Sequence, residues 1–169
     1  MMVILMGPAG VGKTTVGQCL AAQLHWVFVE GDAFHPAANI AKMRRGQPLT
    51  DSDRAPWLAA LRVEMAHRHQ AGQSAVVACS ALKQQYRAQL QWGQSGPVQF
   101  VYLRATAALL RSRLTQRPGH FMAVTMLTSQ LAALEAPTAT DAWVVDAGQS
   151  VAAIVAQIED LLSRHFPAE

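Results

Sequence analysis

Cysteine is scarce: Cys19 and Cys79 are the only two in 169 residues, and they fall on separate predicted elements. A disulfide framework is thereby excluded, and a reducing compartment suits the chain. Long apolar runs are missing too; none approaches the roughly 20 residues of a membrane-spanning helix. The first residues lack the basic stretch and long apolar core of a secretory signal, so a buried strand at 3–6 and a cytoplasmic location are expected. Repeats, long linkers and low-complexity tracts are absent, and so are clusters of basic residues. The net charge of +3 and a pI of about 9.2 suit small anions and give no argument for nucleic acid. Histidines never occur at metal-ligand spacing. His67 and His69, two apart on a predicted helix, point to different faces, and His25 and His165 have no partner, so no zinc site is expected.

What is present is a chain that is 51% hydrophobic, too apolar to be disordered as a whole and long enough for one domain, 1–169. Its most specific feature is the run GPAGVGKTT at 7–15, placed between an apolar stretch and a helix-forming one. Gly7, Gly12, Lys13 and Thr14 fit G-x-x-x-x-G-K-[ST] in register. Glycine puts no side chain in the way of a ligand. The segment Gly7, Pro8, Ala9, Gly10, Val11, Gly12, Lys13, Thr14, Thr15 can therefore turn its N–H groups inward around an anion, with the positive end of the next helix aimed at the same point. Lys13 adds a full charge, and the Thr14 hydroxyl suits a magnesium ion. A nucleoside triphosphate with Mg2+ is the expected ligand pair.

Five short apolar runs, at 3–6, 26–29, 75–79, 99–103 and 142–145, are rich in β-branched or aromatic residues and read as strands. Helical patterns at 13–24, 37–45, 53–70, 82–92, 106–116, 123–134 and 150–165 separate them. Thr106 and Ser150 are N-cap candidates, and Gly46 and Gly72 are candidate stops. The alternation predicts an α/β fold, a parallel sheet with helices on both faces. In such a sheet all strands end on one edge, where ligands bind. That topology brings Asp32 to the phosphates although it lies 19 residues beyond Lys13. It brings residues 146–149 there too, where the adenine is expected.

Four polar centres follow from that placement. Asp32 is suited to take the proton of an acceptor hydroxyl or to hold magnesium through water; capping a turn is its bland alternative. His35, held extended by Pro36, is placed to hydrogen-bond a substrate hydroxyl or to orient the loop. Arg44, Arg45 and Arg54 supply cations, and a guanidinium fork matches a carboxylate; Arg54 has an ion pair with Asp51 or Asp53 as its rival role. Trp57 reads as packing. Lys83 and Arg87, four apart on the predicted 82–92 helix, share a face and can hold an acceptor anion near Ser80. The third strand ends in Cys79 and Ser80 with no aspartate for a metal, which leaves that task open to Asp32. Arg113 and Arg117 also share a face, and Pro118-Gly119 breaks the helix after them. They make a hinged flap that can close on the triphosphate and exclude water, with His120 at its tip, reaching substrate or nucleotide.

With these segments in hand, the chain resembles the gluconate kinases of the phosphate-loop kinase superfamily nearly end to end. The resemblance rests on the loop, GDAFHPAANIAKMRRGQPLTDSDRAPWL, VVACSALKQQYR, VYLRA, SRLTQRPGHF and MLTSQLAALEAP. It implies a three-layer, nucleoside-monophosphate-kinase-like core with sheet order 2-3-1-4-5, an acceptor-binding insertion at about 33–72 and a helical, arginine-bearing lid at about 113–127. It implies ATP and D-gluconate as substrates, 6-phospho-D-gluconate as product, magnesium as cofactor and a homodimer as the usual assembly. Lys13, Asp32, Arg113 and Arg117 would be catalytic; Asp32, His35, Arg54, Lys83, Arg87 and His120 would bind the acceptor. A kinase of another small hydroxy acid such as shikimate, a nucleotide kinase, and a non-catalytic nucleotide-binding module are the alternatives.

Overall fold

Five strands, β1 (Met2–Met6), β2 (Val27–Glu30), β3 (Ala75–Ala78), β4 (Val98–Arg104) and β5 (Trp143–Asp146), form one sheet in the order β2-β3-β1-β4-β5. All four pairings are parallel. Among the described residues, seven helices connect or flank them: α1 (Lys13–Leu24), α2 (Ala37–Arg44), α3 (Asp51–Gln70), α4 (Gln84–Gln91), α5 (Ala107–Thr115), α6 (His120–Ala133) and α7 (Val151–His165), with a short 3-10 turn at Gly31–Phe34. This computed structural model describes residues 1–116 and 120–167, with side chains after the break from Met126 onward.

Both faces of the sheet are covered because the strand residues alternate. Val3, Leu5, Val76, Val101, Leu103 and Val145 pack with Val16, Leu20, Leu110, Ile154 and Ile158 of α1, α5 and α7. Met2, Ile4, Met6, Val77, Phe100 and Tyr102 pack with Trp57, Leu58, Leu61, Met65 and Leu90 of α3 and α4. A strand buried on both sides must be apolar throughout, and β1, MVILM, is buried at every position. The expected sheet order and three-layer arrangement hold. Among the described residues, no helix is long and apolar enough to cross a membrane.

Local sequence fixes the helix starts. Thr50 and Asp53 form a capping box ahead of α3, and Thr106 and Ser150 accept from Leu109 N–H and Ala153 N–H, each satisfying a donor that the helix leaves orphaned. α3 thus begins two residues before the expected position. α4 begins later than expected: Ala81 takes a positive φ of 42° and Lys83 is extended (φ −97°, ψ 149°), so the chain turns once more before the helix can form. Lys83 and Arg87 therefore do not share a helix face, a correction to the i, i+4 reading.

Candidate active site

The glycine loop joins β1 to α1 as the motif requires. Gly12 is the α1 N-cap at φ 105°, ψ 15°, a conformation that side-chain-bearing residues rarely adopt. Lys13 Nζ donates to the carbonyls of Gly7 (2.9 Å) and Pro8 (3.1 Å), so its ammonium lies over the loop. Thr14 Oγ1 donates to Glu30 Oε2 at 2.7 Å, and Glu30 Oε1 lies 3.5 Å from the Asp32 N–H. From the sequence alone, Glu30 carries no expected role. The signal lay in its neighbour: a Cβ on Gly31 would sit 2.3 Å from the Ala78 carbonyl oxygen. Glycine alone lets the chain cross the end of β3 this closely, and it delivers Glu30 and Asp32 together to the loop.

A cleft beside the loop is lined by Ala9, Lys13, Asp32, His35, Met43, Leu49, Arg54, Trp57, Ser80, Met126 and Gln130. Asp32 projects into it, 72% exposed, while the His35 ring is 5% exposed with Nε2 3.9 Å from Asp32 Oδ1. Burial lowers the pKa of His35, the charge of Asp32 opposes that shift, and Arg54 adds to it. The ring stacks on Trp57 at 4.2 Å and 15°. Trp57 is in turn anchored by its Nε1–H to the Gly31 carbonyl at 2.7 Å, so it packs, as expected, while fixing the histidine. Arg54 donates to the Leu49 carbonyl and lies 3.4 Å from the Tyr86 hydroxyl; among the described residues it has no carboxylate partner. Gln130, on α6, accepts from the Ala9 N–H at 2.7 Å, a link from the far helix to the phosphate loop that no local motif signals.

Other predicted residues lie elsewhere. Lys83 is paired with Asp51 at 2.8 Å, within a cluster where Gln85 and the Tyr86 hydroxyl also donate to Asp51. Its partner lowers the Asp51 carboxyl to about 2, chiefly through the Lys83 hydrogen bond and then that of Tyr86. Asp53 is likewise held at about 2, first by Lys42 and then by Thr50. Arg87, 5% exposed, donates to the carbonyls of Ala81, Leu82 and Glu135. It sits under the loop after β3 and is not among the residues lining the cleft. Arg113 donates to the carbonyls of Val11 (3.0 Å) and Ala147 (2.8 Å). It thus ties the phosphate loop to the turn after β5, and it lines a separate cavity of about 430 Å³ with Gly10, Gly12, Thr15, Ala147 and Gln149. That is the edge where the adenine is expected. Arg117 and the side chain of His120 lie outside the described residues, as do Pro118, Gly119 and the side chains of 121–125 in the expected flap.

A parallel sheet with this strand order, a G-x-x-x-x-G-K-T loop on its first crossover and carboxylates at the end of β2 define a phosphate-loop kinase. The AAA-domain family model matches residues 2–140. The chain is 47% identical to the gluconokinase of Gluconobacter oxydans, an alignment covering 98% of this chain and 91% of that protein. Among solved structures, it is similar to a sugar kinase from Janibacter sp. HTCC2649 (TM-score 0.89, 41% identity, 96% and 94% of the two chains). It is also similar to a gluconokinase from Sinorhizobium meliloti (TM-score 0.82, 39% identity, 97% of both chains). The chain belongs to the gluconokinase family.

Proposed function

We propose that this chain transfers the γ-phosphoryl group of ATP to the 6-hydroxyl of D-gluconate, giving 6-phospho-D-gluconate and ADP. The observation that carries the reading is the convergence in one cleft of Lys13 from the phosphate loop with Asp32, His35 and Arg54 from the segment after β2. Phosphoryl transfer needs little more than positioned phosphates and a positioned hydroxyl, and this cleft supports both. Main-chain N–H groups of residues 7–15 hold the β- and γ-phosphates, and Lys13 swings from its carbonyl partners to the phosphate oxygens. Asp32 accepts the hydroxyl proton. Arg54, free of carboxylates, meets the carboxylate end of the acceptor. Arg113 acts as a positioning residue, fixing the loop against the turn after β5.

The donor set at Thr14 and Glu30 fits a hard divalent cation, which favours oxygen ligands and retains part of its water shell. Thr14 would ligate magnesium and Glu30 would hold it through water; the ion supplies neutralisation of phosphate charge. That division leaves Asp32 for the acceptor and answers the missing aspartate after β3. In this reading the chain works in the cytoplasm, on free metabolites, as a homodimer.

ADP release coupled to an indicator, measured with gluconate, its epimers, shikimate and nucleoside monophosphates, tests the proposal. Release dependent on gluconate is expected. Release driven by shikimate or a monophosphate instead, or tight ATP binding with no acceptor-dependent release, overturns it.

A further inference from the structure

Asn39, on α2, is one of two buried polar side chains among the described residues, 3% exposed. Its Nδ2 donates to the Asp53 carbonyl at 2.7 Å and lies 3.3 Å from His35 Nδ1. A carbonyl oxygen only accepts. The amide must therefore present its nitrogen to Asp53, and the second hydrogen of that same nitrogen reaches the ring. Nδ1 accepts it and carries no proton. In a neutral imidazole the proton then resides on Nε2. The ring cannot rotate away, because it is stacked on Trp57, itself anchored to Gly31. Around it stand Asp32 from the 3-10 turn, Arg54 from α3 and Lys13 from α1, all lining the same cleft.

We propose that Asn39 is a positioning residue that locks His35 as its Nε2–H tautomer, so that His35 and Asp32 offer the acceptor one donor and one acceptor side by side. This rests on the reading of the cleft as an acceptor site. The 3.9 Å between Nε2 and Oδ1 is too long for a direct hydrogen bond, yet one oxygen can reach both at about 2.8 Å. A hydroxyl accepts from Nε2–H and donates to Asp32 through a single atom. A carbonyl oxygen would face the carboxylate with no proton to give, and an ammonium would meet Nε2–H with no lone pair. The pair thus selects an alcohol at this position, since either wrong function leaves one of the two groups unpaired.

Long-range 1H–15N correlation on the 15N-labelled full chain, with His35 assigned by the loss of its peaks in His35→Gln, reads the tautomer directly. A bare Nδ1 and a protonated Nε2 are expected at neutral pH. In Asn39→Ala, with folding checked by circular dichroism, averaged tautomers and a gluconate KM raised about 10-fold are expected, with the KM for ATP changed less than about twofold. His35→Gln, which keeps an N–H near the same place, should hold the gluconate KM within about threefold; His35→Leu should raise it about 30-fold or more. A protonated Nδ1 in the wild type, or a folded Asn39→Ala that keeps both tautomer and KM, overturns the proposal. If Asn39→Ala does not fold, the wild-type spectrum and the two His35 variants decide it. The spectrum needs no substrate, so a chain inactive toward gluconate would sink the functional reading while the tautomer still judges the lock.

Discussion

The two halves of the cleft are built from different materials. On the side we assign to the nucleotide, the proposed phosphate-binding groups are main-chain amides of residues 7–15, and the cations there, Lys13 and Arg113, donate to main-chain carbonyls. On the side we assign to the acceptor, the cleft is lined by side chains from the turn after β2, from α2, α3 and α6, and from the loop after β3. Around them side chains brace one another: His35 by Trp57 and Asn39, Lys42 by Asp53, Lys83 and Tyr86 by Asp51. A backbone cradle tolerates most side-chain changes and fails at its glycines and its lysine. A side-chain pocket is tunable position by position, which suits the half that must tell one hydroxy acid from another. Thr14 and Glu30 sit on the seam.

The largest effect is expected where the nucleotide half concentrates its charge. Lys13→Met should lower kcat by about 10³-fold or more, since one preorganised charge at developing phosphate charge is worth that much. Far-UV circular dichroism and Tm, the controls for folding, should stay close to wild type. A stable, folded variant with substantial turnover would break the division between the halves.

The seam is tested by the two neighbouring carboxylates. Asp32→Asn should cost about 10²- to 10⁴-fold in kcat, the range for a lost general base, with ATP affinity close to wild type by titration calorimetry. Glu30→Gln should weaken the magnesium dependence of nucleotide binding by about 10- to 100-fold, as losing a group that orients a metal's ligands does. If the two phenotypes are exchanged, Asp32 is the metal-side residue and the acceptor assignment moves.

These assignments differ in how far the sequence alone reached. The phosphate loop was legible because its function is written in contiguous backbone chemistry. The strand positions were legible because doubly buried strands such as MVILM carry their burial in every residue, whereas the sheet order came from the family resemblance alone. Asp32 was legible through topology alone. Lys83 and Arg87 were misjudged for a local reason: the positive φ at Ala81 delays α4, and no propensity argument anticipates an alanine there. Glu30, Asn39 and Gln130 escaped because one deciding partner of each, Thr14, Asp53 and Ala9, lies 14 to 121 positions away, and spacing on one element says nothing about such pairs.

Arg87 sharpens the contrast from the other side. It was expected to bind the acceptor, and it instead serves three carbonyls beneath the pocket. Arg87→Met should destabilise the fold by about 2–3 kcal/mol, the cost of stranding buried acceptors, seen as a Tm lower by roughly 5–10 °C for a chain of this size. The gluconate KM should stay within about twofold under conditions where the variant is folded. A selective rise in that KM with unchanged Tm would return Arg87 to the binding residues.

The smallest effect is expected from acid, and it should fall on the acceptor half. Asp51 and Asp53 have pKa values lowered from 3.8 to about 2 in the folded chain. A carboxyl whose pKa is lowered by folding adds stability that is fully present above its unfolded value and is lost as pH falls through the folded one. The window is therefore about pH 4 down to pH 2, and neutral solution lies wholly above it. Asp51 is exposed and Asp53 half-buried, so solvent and salt screen the gain, most at Asp51. Tm measured across this window should fall in the wild type and fall less steeply in Asp51→Asn, with the difference shrinking as salt is added. Identical slopes in the two proteins would mean that Lys83 and Tyr86 hold Asp51 without storing stability in it, and that the pocket's rigidity comes from the Asn39 and Trp57 contacts instead.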